Sequence, residues 1–464
     1  MFLEIDKFES KRIAAIDDSG ESILYGELAE CTTHIEKIIP RRSVVFLMCD
    51  NTIGCLTAYI SMIENDIIPI MLNHSIDKAL FITLFETYKP QYLCMPLSQT
   101  YKYDFKSVYE EKGFCYLKTK QEQYAVNSKL QLLMSTSGST GSPKLVRYKK
   151  GNLKVNAKNV AKAWEWTNEE RPICDLAMNY TMGLNVINTH LYVGATLLLM
   201  KSNVTEGKYW EFVKKHGATN LTGVPFSYDL LWKLRFTQMD IPTIQTLSVG
   251  GGKMSDEMFE KVAIYCCSNN KRFISSFGAT ETAARIAMLK PDKAIEKTGS
   301  IGTAIPEGNL MLFDNKGKKI EKIDSEGELV YEGPNVTMGY AYNSEDLMLG
   351  DIFNGIYHTG DIARRDNDGY YYIVGRQSRF VKLLGYRISL DQCEALINER
   401  FHVNCACDGN DEKIIIYMLP SHVNEKNVRH FISETTGIHI SRFLVRFIDK
   451  IPRGTNGKIL YDQL

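Results

Sequence analysis

No stretch of this 464-residue chain holds the roughly 18 continuous apolar residues of a membrane-spanning helix. The opening MFLEIDKFESKRIAA is charged from its first residues and has no apolar h-region, so neither export nor membrane insertion is expected. A net charge is missing as well. The 55 Lys and Arg balance 55 Asp and Glu, which leaves no overall field to recruit nucleic acid or an anionic membrane, and no basic stripe carries interleaved aromatics. The eleven cysteines lack framework spacing and are odd in number, which argues against a disulfide scaffold and for buried thiols in a reducing compartment, the cytoplasm. Internal repeats, low-complexity tracts and long linkers are also absent. What remains is 44% hydrophobic and 24% charged, the profile of a soluble globular protein with length enough for two to four folding units.

The first part of the chain alternates short β-branched runs with helical patterns. SVVFLMC at 43–49 predicts a strand, Ile53, Leu56, Ile60 and Ile63 fall at helical spacing, and IIPIML at 67–72 predicts a second strand, parallel to the first. QYLCMP, QLLMST, ATLLLM, LTGVP, IQTLSVG and RFISSF are further candidate strands, several ending in Gly, Ser or Thr where sites commonly form. After about residue 300 the texture changes to hairpins: NLMLFDNKGKKIEKI, GELVYEG, and IARRDNDGYYYIVGR with turn residues at DNDG. From Arg379 a smaller α+β unit is expected, with a helix from SLDQCEALINER capped by Ser389 and Gln392, a hairpin over CDGNDEKIIIYMLP, one more helix and the strand FLVRFID. The two parts meet at a short joint near residues 376–380, short enough to permit rotation.

The stretch LLMSTSGSTGSPKLVRYKK at 132–150 runs from an apolar strand into a hydroxyl- and glycine-rich loop and restarts at a lysine. Gly138 and Gly141 let a backbone approach a ligand closely, and successive N–H groups with Thr136, Ser137, Ser139 and Thr140 can form an anion nest, to which Lys144 adds charge. Phosphate fits that supply of donors. A flexible surface loop is the ordinary alternative, but this tract is anchored at both ends. It is not a Walker loop: Pro143 stands where the second glycine belongs and Leu145 follows the lysine.

STSGSTGSPKLV resembles the phosphate loop of the adenylate-forming ligases, the superfamily of acyl-CoA synthetases, luciferases and peptide-synthetase adenylation domains. The resemblance continues, in the family's order, through SVGGGKMS, FGATETA, GSIGTAIPEG, GELVYEGPNVTMGY, YHTGDIARRDNDGYYYIVGR, KLLGYRIS and IPRGTNGK, over nearly the whole chain and most weakly before residue 130. It implies an α/β fold with a large N-terminal domain of mixed sheets and a β-rich part (1–376), a hinge (377–379), and a small C-terminal α+β domain (380–464). The implied reaction activates a carboxylic acid with ATP and Mg²⁺, releases pyrophosphate, and passes the acyl group to a thiol, CoA or a carrier-protein phosphopantetheine. By this resemblance Thr280 contacts the α-phosphate and Glu281 holds Mg²⁺, whose hard-cation chemistry suits one carboxylate plus phosphate oxygens. Asp361 accepts from the ribose hydroxyls and Arg376 reaches the same sugar or a phosphate. Gly250, Gly251, Gly252, Phe277, Gly278 and Ala279 surround the adenine and the acyl group, and Lys458 is the catalytic lysine that answers transition-state charge. Each has a plainer reading: Thr280 and Glu281 as a partly exposed helix start, Asp361 and Arg376 as hairpin charges, Phe277 as core, Lys458 as a solvated tail.

Two positions depart from the pattern. Ser378 stands where a hinge Asp or Lys is common, with Arg379 and Lys382 near enough to share its role. Thr181 stands where amino-acid-activating relatives place an Asp, so an α-ammonium would lack its counter-charge and an α-amino acid is disfavoured. Asn179, Tyr180 and Asn185 offer hydrogen bonds to a hydroxylated acyl or aryl acid, or Tyr180 only closes the pocket floor. Three alternatives stay open: amino-acid adenylation for a carrier protein, a nucleotide or acyl sensor without turnover, and, weakened by Pro143, a phosphotransferase.

Overall fold

The strand Val44–Cys49 is buried along its whole length, and the helix that follows, Ile53–Glu64, is buried on every face from Ile53 to Ile63. A helix apolar all round belongs in the middle of a core rather than at its edge, and this one sits between two large sheets whose side chains share one apolar cluster. The expected single apolar stripe is therefore exceeded. Thr52 caps the helix by accepting from the Cys55 N–H at 3.3 Å.

The computed structural model describes residues 1–135, 144–383, 386–410, 412–420, 423–454 and 458–464. One sheet has eight strands, with Val44–Cys49 between Ile68–Asn73 and Tyr92–Pro96, both parallel to it. Leu130–Ser135, the strand that runs into the Ser/Gly loop, lies beside Ile68–Asn73 and is followed by Leu145–Lys149. The second sheet has nine strands. At its centre Asn220–Gly223, Thr246–Val249 and Arg272–Ala279 run parallel, and Ala284–Leu289 returns antiparallel beside the last of them.

A third sheet of four antiparallel strands carries Asn309–Phe313, Gly327–Glu332, Ile356–Arg365 and Tyr371–Arg376. Its last hairpin turns at 366–369 as expected, with Gly369 at φ +84°. The expected hairpin within NLMLFDNKGKKIEKI is corrected: beyond the turn the charged return limb makes only the isolated bridge Phe313 to Lys319, and Asn309–Phe313 pairs along its length with Gly327–Glu332. The buried Leu329 and Tyr331 of that strand cover Leu310 and Leu312, which a lysine-rich limb cannot do.

Beyond this sheet stand the hairpin Phe380–Leu383 with Tyr386–Ser389, the helix Leu390–Phe401, and a three-stranded sheet of Cys405–Gly409, Ile414–Met418 and Phe443–Phe447 flanked by the helix Glu425–Thr436. Ser389 caps the first helix, accepting from the Gln392 N–H at 3.2 Å. The apolar cluster of this unit draws every member from Val381 onward. All eleven cysteines are free thiols, ten of them buried. Among the described residues no helix is long and apolar enough to cross a membrane.

Candidate active site

The parallel strands Thr246–Val249 and Arg272–Ala279 end at one rim of a cleft of about 2640 Å³, and the hairpin Ile356–Arg365 with Tyr371–Arg376 and the C-terminal segment complete its walls. Strand ends in a parallel sheet leave loops and unpaired backbone groups free to meet a ligand. Gly251, at φ +76°, follows the first strand; a Cβ there would stand 2.4 Å from the Tyr180 hydroxyl, so the glycine makes room for that phenol. A Cβ on Gly250 would meet Ser276 and Met182, and Gly252 lines the cleft.

Phe277, Gly278 and Ala279 close the second strand. Phe277 lines the cleft and also packs on the apolar cluster of the third sheet, so its two readings are not exclusive. Thr280 and Glu281 then open the three-residue 3₁₀ turn Thr280–Thr282, not an α-helix, and both are buried. The expectation of a partly exposed helix-start glutamate is thereby overturned, because Ala284–Leu289 pairs back on Arg272–Ala279 at once and leaves no length for a helix. Thr280 accepts from the Thr181 hydroxyl at 3.1 Å. Glu281 accepts from the Tyr340 hydroxyl at 2.7 Å, and its backbone carbonyl accepts from the Thr337 N–H at 2.9 Å. Tyr340 faces the other way too: the Lys144 ammonium stands 3.7 Å from its ring centroid. One phenol thus joins the lysine after the Ser/Gly loop to the buried carboxylate, a link the sequence reading missed although Tyr340 closes the motif GELVYEGPNVTMGY. Thr136, Ser137, Gly138, Ser139, Thr140 and Gly141 lie outside the described residues.

Asp361 and Arg376 are direct cross-strand partners, and the Arg376 Nε donates to Asp361 Oδ1 at 3.1 Å. Burial raises the Asp361 pKa, and the Arg376 charge opposes that rise. Lys458 enters the cleft from the C-terminal unit. Burial and then the Arg376 charge push its ammonium down to about 8, while Asp361 and Glu281 pull it up. Three parts of the chain more than seventy residues apart thereby share one electrostatic neighbourhood. Of the acyl-pocket candidates, Tyr180 and Thr181 line the cleft. Asn185 is engaged lower down, donating to Asn156 at 2.8 Å and accepting from Arg285, and Asn179 holds a buried Oδ1 with no hydrogen-bond partner among the described residues. Arg379 does not stand loose at the joint: it donates to Asp391, Glu394 and the Cys407 carbonyl within the C-terminal unit. The side chains of Ser378 and Lys382 lie outside the described residues.

A carboxylate and threonine at one strand end, a carboxylate–arginine pair opposite and a lysine from the C-terminal unit stand where the resemblance to the adenylate-forming ligases expects them. A profile of the AMP-binding enzyme family matches residues 8–341. Indoleacetate–CoA ligase of Aromatoleum aromaticum is 26% identical over 345 residues, 72% of this chain and 66% of that ligase. 2-Succinylbenzoate–CoA ligase of Bacillus cereus (strain Q1) is 23% identical over 472 residues, 97% of this chain and 95% of that enzyme. O-succinylbenzoate coenzyme A synthetase from Bacillus subtilis, in complex with ATP and magnesium ion, has the same fold at a TM-score of 0.80 and 21% identity, covering 100% of this chain and 98% of that one. This chain belongs to the AMP-binding enzyme family. It is an AMP-forming ligase of the acyl-CoA synthetase type.

Proposed function

We propose that the protein activates a small carboxylic acid with ATP and transfers the acyl group to CoA. A carboxylate oxygen attacks the α-phosphorus, the bond from that phosphorus to its bridging oxygen breaks, and pyrophosphate leaves; the CoA thiolate, its proton lost to solvent, then attacks the acyl carbon and AMP leaves. The observation that carries this reading is the Lys458 ammonium gathered with Asp361, Arg376 and Glu281 in one cleft.

Each residue's role follows from its donor or acceptor chemistry. Asp361, paired with Arg376, accepts from ribose hydroxyls, and Arg376 turns its remaining donors to the sugar or phosphates. Lys144 and the loop 136–141 hold the outer phosphates. Thr280 donates to the α-phosphate once its hydroxyl, which accepts from Thr181, is turned outward. Glu281 fits a Mg²⁺ ligand: it is a buried carboxylate oriented by a phenol donor rather than neutralised by a cationic salt-bridge partner among the described residues. Bound there, the ion would neutralise phosphoryl charge. Lys458 places a fixed cation where charge develops. Residues 1–376 form the nucleotide-binding domain, 377–379 the hinge, and 380–464 the domain that carries Lys458. Dependence on ATP and CoA, with eleven free thiols, fits the cytoplasm.

Acid-dependent exchange of labelled pyrophosphate into ATP, screened over short, fatty, aryl and amino acids with and without CoA, tests the reading. Exchange, AMP release and an acyl-CoA product are expected. ADP as product would overturn it, and acyl transfer to a phosphopantetheinyl carrier protein with none to CoA would replace the acceptor.

A further inference from the structure

Two arginines are buried in the large domain, and they are treated differently. Arg147 is fully buried and every arm is used: Nε donates to the Tyr340 carbonyl at 2.9 Å, Nη1 to Leu349 at 2.6 Å, and Nη2 to Met338 at 2.8 Å and Gly350 at 3.1 Å. Arg285 is 3% exposed and lines the cleft five residues after Thr280. Its Nη1 donates to Asn185 Oδ1, and its guanidinium carbon lies 4.5 Å from the Trp164 ring centroid. Its Nε and Nη2 have no hydrogen-bond partner among the described residues, and no described carboxylate forms an ion pair with it.

A buried guanidinium left with two idle donors is costly, and proteins ordinarily satisfy or pair such a group. Deprotonation does not relieve it: burial lowers its pKa only to about 10, so it stays cationic at neutral pH. The groups facing it from the packed elements are Trp164 on the helix Asn152–Trp164, Asn185 and the neutral His190 on the helix Thr181–Val193, and Tyr180 at that helix's start, while Asn156 donates to the Arg285 backbone carbonyl at 2.8 Å. None is an anion at neutral pH. The two idle nitrogens share one edge of the guanidinium plane, and that edge matches the two oxygens of a carboxylate.

We infer that Arg285 receives a second carboxylate on the acid substrate, so that the acid activated here is a dicarboxylate. One carboxylate is presented to the α-phosphate near Thr280 while the other pairs with the Nε, Nη2 edge of Arg285. Asn185 is then a positioning residue that holds Nη1 and turns the idle edge to the ligand. The inference rests on the acid-activating reading above and narrows its substrate class. It also accounts for Thr181: a pocket whose charge recognition is cationic has no use for the carboxylate that an α-ammonium needs.

The test uses matched acid pairs that differ by one carboxylate: succinate with butyrate, glutarate with valerate, phthalate with benzoate, and 2-succinylbenzoate with 3-benzoylpropionate. Binding is read by calorimetry in the presence of a non-hydrolysable ATP analogue, and turnover by pyrophosphate exchange. At least one dicarboxylate is expected to exceed its monocarboxylate partner by tenfold or more in kcat/KM and in affinity. Arg285→Met, which keeps packing against Trp164, should bring that ratio to near one, and Arg285→Lys should restore part of it; ATP-analogue binding by each variant checks that it is folded. A preference for the monocarboxylate in every pair, binding of no dicarboxylate, or an unchanged ratio in a folded Arg285→Met overturns the inference. Dicarboxylate binding that depends on Arg285 but yields no AMP with any acid would support Arg285 and overturn the ligase reading instead.

Discussion

Glu281 is buried and accepts from a single phenol, so removing its carboxylate has two separable effects. Glu281→Ala would leave the Tyr340 hydroxyl unpaired as well as deleting the charge, whereas Glu281→Gln keeps an acceptor for Tyr340 and removes the charge alone. Glu281→Gln should lower acid-dependent pyrophosphate exchange by roughly 10²-fold or more with little change in melting temperature, and the loss should not be recovered by raising Mg²⁺. Exchange within a few-fold of wild type would remove Glu281 from the reaction. The second prediction concerns Lys458. The ammonium is the working form, and burial with Arg376 depresses it to about 8, so the cation is present below that pH and is lost as pH rises through it. The kcat/KM for ATP, which reports the free enzyme, should therefore fall above about pH 8. In Lys458→Arg the fall should move to higher pH. Bound phosphates favour the charged form, so in kcat the same limb should lie higher than in kcat/KM. A profile identical in the wild type and Lys458→Arg would assign the limb elsewhere.

At the scale of single elements, the strand end 249–252 and the turn 280–282 decide how the site is shaped. Gly251 has positive φ and its missing Cβ is the space taken by the Tyr180 hydroxyl. Gly251→Ala should cost about 1–2 kcal/mol for the backbone alone and raise the KM for the acid by displacing Tyr180. Adding Tyr180→Phe should relieve the steric share but not the backbone share, which a double-mutant cycle on melting and KM will separate. Much at this scale was legible in sequence: the parallel strands around the helix Ile53–Glu64, the DNDG hairpin and the Ser389 cap follow from periodicity, turn chemistry and capping rules. The turn at Thr280 was not, because its shape depends on Ala284–Leu289 pairing back immediately, a tertiary constraint that leaves no local mark. The pairing of Asn309–Phe313 was misread for a related reason: a good local turn lost to a more apolar distant strand. Arg285 and Tyr340 were passed over because one reads as an ordinary strand residue and the other as motif filler. Only burial, orphaned donors and cross-chain distances make them conspicuous.

At the scale of the molecule, Lys458 lies in the C-terminal unit while Glu281, Thr280 and Asp361 lie in the large one. Lys458→Ala should depress acyl-adenylate formation by about 10²- to 10³-fold, while acyl transfer to CoA from supplied acyl-AMP stays near normal. Measuring the two half-reactions separately on this variant, and on a chain ending at residue 454, decides the point; equal losses in both halves would mean that the tail only supports the fold. The same neighbourhood has a further consequence. Burial first, and then the Arg376 charge, make the lysine's proton held more weakly than in water, against the pull of Asp361 and Glu281. An arriving triphosphate would add negative charge beside this cation and favour its place in the cleft, and departure of pyrophosphate would withdraw most of that charge. On the proposed reaction the polyanion would act as an electrostatic latch on Lys458, and forming the acyl-adenylate would unfasten it.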